Sequence, residues 1–201
     1  QELAARAHEV AVATLWQAGM PEREADGPVR VYRLRGTLHR AARNLFSNPH
    51  RFYAPPFPDP ELVLSLRRVL AQEQPQVVHG HNWLVRSFLP LKRGSQARLV
   101  TTLHDHGLYC ARWTLMKGDA VCPGPRLDRC LGCAAASYGP LKGAATVFGN
   151  ALWAPAEWSA VDMFLPISNA VAVAYGLPWS EKPYQVIPNF IGGPEFTPDG
   201  D

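Results

Sequence analysis

Four short segments carry side chains able to do chemistry, and each side chain closes an apolar run. His79 and His81 end Val77-Val78-His79-Gly80-His81, and His104 and Asp105 end Thr101-Thr102-Leu103-His104-Asp105. Ser168 follows Phe164-Leu165-Pro166-Ile167, and Asn189 follows Val186-Ile187-Pro188. An imidazole at His104 can donate a hydrogen bond to a hydroxyl or to a developing negative charge. Asp105 can orient that ring through its N–H. Equally, Asp105 can cap a short turn and leave His104 an ordinary loop histidine. His79 and His81 share one face of an extended segment, because side chains alternate. Two histidines so placed suit a metal, or they pack and line a cleft with His81 nearer a substrate. Ser168 before a helix reads first as a cap and second as an anion contact.

Cys110, Cys122, Cys130 and Cys133 form a C-x11-C-x7-C-x2-C array confined to 24 residues. The last pair has zinc-knuckle spacing, with Gly132 between its cysteines to permit a tight turn. One structural tetrahedral zinc, two disulfides, an iron–sulfur cluster and free thiols all remain open. Four protein ligands would leave no open position, so zinc catalysis is not expected.

Between Gly27 and Pro58 stand six arginines (Arg30, Arg33, Arg35, Arg40, Arg43 and Arg51) and no acid. Trp16, Phe46, Phe52, Tyr53 and Phe57 lie within or near that stretch. An arginine-rich amphipathic helix with aromatics suits an anionic membrane surface or a phosphorylated lipid acceptor. Arg40 and Arg43 are the candidate contacts. The alternative is a solvated helix face balanced by acids elsewhere.

The elements that must position these residues alternate. Apolar or β-branched runs predict strands at 8–14, 29–34, 77–78, 98–103, 163–167 and 184–187. Helical spacing is expected at 37–46, from Pro60 to Gln74, through Trp83 to Leu91, and at 169–175. Asp59-Pro60-Glu61 is a helix start: an N-cap acid, proline at the first position, an acid in the first turn. A Cys-bearing loop is expected over 105–133, then an Ala-rich helical region interrupted by Pro140 and Pro155. The expected fold is α/β: a doubly wound, mostly parallel, Rossmann-like sheet with a Cys-rich loop insert. In such sheets ligands bind beyond the carboxyl ends of strands, where these four segments lie.

With 201 residues, 47% apolar and 18% charged, the chain can bury a sizeable core and is not expected to be disordered. The net charge of +3 is too small to argue for nucleic acid. Gly143–Ala156, an uncharged apolar stretch near a helix pattern, is too short to span a bilayer, which takes about 20 residues. No signal peptide is visible, and four cysteines in so long a chain do not suggest a secreted disulfide scaffold. A cytoplasmic setting is therefore expected, peripheral to the inner membrane face if the arginines bind there. Gln1 to Ala7 reads as the end of a helix and Thr197 to Asp201 as a linker. The chain is expected to be part of a larger protein, with residues 1–196 as one domain and 197–201 entering another.

The four strand-end segments, in their order and spacing, resemble the amino-terminal domain of family 4 glycosyltransferases, which are retaining enzymes of the two-domain GT-B type. The opening Leu3 to Thr14 resembles that family's first helix and second strand, without its glycine-rich turn. The resemblance implies that this domain binds the acceptor, a sugar or lipid-linked hydroxyl. A second domain would bind the nucleotide-diphosphate sugar. It also implies that His104 faces the interdomain cleft and touches the donor sugar or its phosphate. Asn189-Phe190-Ile191-Gly192 lacks the acid the family often carries there. Rival readings are a non-catalytic metal-binding domain built on the Cys loop and a nucleotide-sugar epimerase of the same architecture.

Overall fold

A computed structural model describes residues 2–37 and 54–189. The helix expected at 37–46 falls almost wholly outside the described residues, as do Arg40, Arg43 and Arg51. Helix α1 (Glu2–Ala5) precedes strands β1 (Ala11–Leu15), β2 (Arg23–Asp26) and β3 (Val29–Leu34). Helix α2 (Pro60–Glu73) leads to β4 (Val77–His81), a 3-10 helix (Asn82–Ser87), α3 (Leu89–Lys92) and β5 (Arg98–Leu103). A small hairpin of β6 (Met116–Lys117) and β7 (Ala120–Val121) follows. Then come α4 (Leu127–Tyr138), α5 (Pro140–Ala160), β8 (Met163–Pro166), α6 (Asn169–Ala174) and a 3-10 turn (Leu177–Trp179).

The expected α/β architecture is present. Strands β4, β5 and β8 form a parallel sheet in the order β4-β5-β8, with Val77 opposite Arg98 and Val100 opposite Met163. A second sheet has the order β1-β3-β2, in which β1 and β3 are parallel. Strand β2 pairs antiparallel to β3, and its Arg-Glu-Ala-Asp sequence carries no apolar signal. It forms because Gly27, at φ +57°, allows a two-residue hairpin that sets Asp26 against Val29. Strand β1 is not the buried strand expected, since Val12 is 43% exposed. The strand expected at 184–187 is reduced to one bridge from Tyr184 to Phe164. Its neighbours still donate strand-like bonds, Gln185 N–H to Phe164 O and Ile187 N–H to Pro166 O, both 3.0 Å.

Helix α2 starts as its sequence demands. The Asp59 carboxylate accepts the backbone N–H groups of Glu61 and Leu62 at 3.0 and 3.2 Å, and that of Thr37 at 2.9 Å. Its buried face, Leu62 and Leu66, joins Leu34, Phe88, Leu99, Phe164 and Leu177 in one core. Gly80 lets the 3-10 helix close on β4, because a Cβ there would sit 2.6 Å from Val85 Cγ2. Pro155 does not interrupt α5; the break falls at Gly139, at φ +79°.

A charged pair lies inside this core. Arg86 is fully buried and donates to Glu157 (2.9 Å), Asn150 Oδ1 (2.7 Å), and the carbonyls of Pro56 (2.7 Å) and Leu108 (3.1 Å). Burial pushes the Glu157 carboxyl up, and the Arg86 charge opposes it. Breaking such a pair strands a charge without water. Glu157→Gln should therefore lower the unfolding free energy by about 3–5 kcal/mol in denaturant titration, and Arg86→Met with Glu157→Leu should recover much of that. A loss under about 1 kcal/mol for Glu157→Gln would show the pair to be energetically like a surface one.

Candidate functional site

Parallel pairing aligns the carboxyl ends of β4, β5 and β8. His81 lies opposite Thr102, His104 follows Leu103, and Ser168 lies two residues beyond Pro166, which pairs with Leu103. His79, His81 and Thr102 share one sheet face by alternation, and their side chains meet. His79 Nε2 and Thr102 Oγ1 are 2.6 Å apart. His81 Nδ1 and His104 Nε2 share a hydrogen bond of 2.9 Å, one nitrogen donating and the other accepting. The rings of His79 and His81 are 4.3 Å apart, and those of His81 and His104 are 5.1 Å apart and stacked. Burial, and then the neighbouring imidazoles, push His81 down to about 4, while His79 is lowered by the same causes.

The loop after β5 is held by its own groups. Asp105 Oδ1 accepts the Gly107 N–H at 2.7 Å, closing a tight turn. The carboxylate thus serves the turn, and the ring partner found for His104 is His81. Gly107 is required there, since a Cβ would stand 2.9 Å from Asp105 Oδ1. The Tyr175 hydroxyl donates to the Asp105 carbonyl (2.8 Å) and accepts the Leu108 N–H (3.3 Å). Trp83 Nε1–H donates to the Gly107 carbonyl at 2.9 Å. Trp83 and Tyr175 were not among the residues singled out from the sequence: Trp83 reads as one more apolar helix position, and nothing local marks Tyr175.

Between these groups and Glu157 lies a cavity of about 20 Å³ lined by Thr101, His104, Trp113 and Tyr175 among others. That holds one water and no sugar, so the histidines present a surface to any substrate. Ser168 caps α6, its Oγ accepting the Val171 N–H at 3.2 Å. Asn189 is exposed at the edge of the described residues. Among the described residues, neither Asn189 nor Ser168 hydrogen-bonds to the histidines.

The four-cysteine site does not assemble. All four cysteines are free and half-buried, and among the described residues no three His, Cys, Asp or Glu side chains gather to hold a metal. Each of three sulfurs has another partner. Cys122 Sγ donates to the Gly124 carbonyl, Cys130 Sγ accepts the Arg126 N–H, and Cys133 Sγ faces an Arg112 amine at 3.6 Å. Cys130 and Cys133 also lie on helix α4 and not in a loop. No disulfide links the described part of this segment. A satellite core of Ala111, Ala134 and Val147, with Cys130 and Leu131 packed on it, orders it instead. Gly143 lets α5 approach α4, since a Cβ there would be 2.7 Å from the Ala134 carbonyl carbon.

The arginine stretch is partly neutralised. Arg30 pairs with Glu73 and Glu9, Arg33 with Glu24, and Arg35 with Glu22. Arg35 also lies over the Trp16 ring at 3.9 Å. The balancing acids are supplied by other segments. Among the described residues no helix is long and apolar enough to cross a membrane.

The family model for Glycosyltransferase Family 4 matches residues 1–192. The chain belongs to that family. No curated protein and no solved structure gives a match. As a family 4 glycosyltransferase domain, the chain has an α/β sheet whose strand-end histidines lie where open parallel sheets bind ligands.

The lowered His81 has a thermodynamic consequence. The unfolded chain binds a proton at His81 near 6.5, whereas the folded chain binds it only near 4. Between those values the unfolded state holds more protons, so stability rises with pH through that window and is fully present above it. Denaturant titrations from pH 4 to 7 should show this rise, and His81→Gln should flatten it. An unchanged slope in the variant would mean that His81 is not desolvated.

Proposed function

We propose that this domain is the acceptor-side half of a retaining glycosyltransferase that moves a sugar from a nucleotide-diphosphate sugar to a hydroxyl acceptor. The observation supporting this is the hydrogen-bonded His81–His104 pair at the carboxyl ends of adjacent parallel strands. With Nε2 engaged by His81, His104 keeps Nδ1 for a substrate. A ring nitrogen so held can stabilise charge that develops as a sugar–phosphate bond breaks, without reorienting at that moment. His81, neutral through the physiological range, holds that ring without placing a second charge beside it.

Ser168 and Asn189 would approach the substrate from the β8 side, and Arg40 and Arg43 would meet an acidic or lipid-linked acceptor. The donor would be held mainly by a second domain closing over the open histidine surface, and a cytoplasmic setting would supply it. The small size of the cavity beside His104 supports such an arrangement, since a sugar-sized site needs about 300 Å³ or more.

In the complete enzyme, His104→Ala should lower kcat roughly 10²–10³-fold with little change in KM, as for loss of one oxyanion-type donor. Steady-state transfer from UDP- or GDP-sugars measures this, and unchanged turnover would remove His104 from the reaction. The 201-residue chain alone should not turn over. Tight nucleotide-sugar binding by this chain in calorimetry would overturn its assignment to the acceptor side.

A further inference from the structure

Away from the strand ends, the hairpin and helix α4 border an open, shallow groove of about 710 Å³ lined by Arg112, Lys117, Arg126, Asp128, Arg129 and Cys133 among others. That is the size of a small-molecule site. Four of its lining side chains are cationic and one is anionic. We propose that this groove binds a phosphate or diphosphate group, free or carried on a sugar or lipid. The inference rests on the groove alone and not on the transferase reading.

The protein leaves much of this charge unanswered. Lys117 forms no hydrogen bond or ion pair with the described residues. Arg129 donates Nη2 to the Gly124 carbonyl at 2.6 Å, but its Nε is buried with no acceptor. A buried donor without a partner is costly, and such a group commonly signals a water or ion that belongs there. Arg126 is paired to Asp128 at 3.0 Å, with both side chains 68% exposed. An exposed pair of that kind is worth little and exchanges readily for a better acceptor. Arg112 touches only the Cys133 sulfur on its Nη1, a weak acceptor, and keeps other N–H donors.

The ligand class follows from these donors. Planar guanidinium forks match the oxygens of phosphate two at a time, and a lysine adds a mobile point charge. With Asp128 counted, the groove has three positive charges in excess; a monovalent carboxylate would leave two of them unanswered, whereas a diphosphate balances most of them. Helix α4 also begins at the groove, at Arg126, and no side-chain oxygen caps it. Its first N–H groups add positive potential on the same side. The groove is joined to the strand-end site through a short loop. Arg112 lines one, and its neighbour Trp113 lines the other while its carbonyl accepts the His106 N–H at 3.0 Å.

The test titrates inorganic pyrophosphate into the purified protein in low-salt buffer, followed by calorimetry and amide shifts. The expected result is saturable one-to-one binding that weakens with added sodium chloride as the charges are screened. Lys117→Gln and Arg129→Gln should each weaken it about tenfold or more, as for a charge-assisted bond. Lys117→Gln has no described internal contact to lose, so its effect does not come from misfolding. Flotation with phosphatidylcholine vesicles, with and without phosphatidic acid, separates the two sources. Capture that needs phosphatidic acid and falls in the same variants assigns the lipid-borne phosphate, and binding of pyrophosphate alone assigns a soluble one. No saturable binding of either probe, or binding indifferent to both substitutions, would overturn the inference.

Discussion

A guanidinium buried without water dictates much of this architecture. Arg86 cannot be solvated where it lies, so every acceptor it uses must be supplied by the fold. Helix α5 supplies Glu157 and Asn150, the segment before α2 supplies the Pro56 carbonyl, and the loop after β5 supplies the Leu108 carbonyl. Three distant stretches of chain are thereby tied to the 3-10 helix that carries Arg86. An apolar residue at this position would not specify where those three segments sit. The close fit extends to Gly149, where a Cβ would meet Pro56 Cγ at 2.8 Å.

Leu108 connects this interior constraint to the surface chemistry. It stands four residues after His104, and its N–H is held by Tyr175, whose hydroxyl also bonds the Asp105 carbonyl. Tyr175 is nearly buried, and burial holds its phenol well above the ordinary range, so it stays a neutral donor. The loop bearing His104 is therefore gripped at both carbonyl and amide. Its imidazole meets His81 from the neighbouring strand, and the two rings stack. Rigid strands and a clamped loop, rather than a deep pocket, give these side chains their geometry.

Much of this plan was legible from residue patterns. Strand β5 falls at Arg98–Leu103, as its β-branched run requires, and α2 begins on the Asp59-Pro60 cap. The strand-end rule singled out His81 and His104 before any geometry was known. What it could not supply was their pairing, because residues 23 positions apart meet only through the β4–β5 register. Strand β2 escaped because it is an exposed, charged edge whose pairing comes from a turn and not from burial. The cysteines misled for a related reason. Spacing in the chain measures reach and not convergence: a small apolar cluster packed on α4 holds the segment, and among the described residues no three ligands gather there. A signal for the buried pair was present but unused. Arg86 and Glu157 are lone charges within apolar stretches, and charges so placed inside a core need each other.

The claim at the centre of this account is that the His81 and His104 imidazoles at the strand ends form one hydrogen-bonded unit, with the His81 ring partly screened from water by its neighbours. Nitrogen-15 spectra of the histidine rings, followed across pH, test it directly. The account predicts that His81 stays neutral until about pH 4 and that its Nδ1 carries the shift of a shared hydrogen bond with His104. A His81 ring that titrates at the ordinary value of about 6.5, with both its nitrogens behaving as water-exposed, would contradict it.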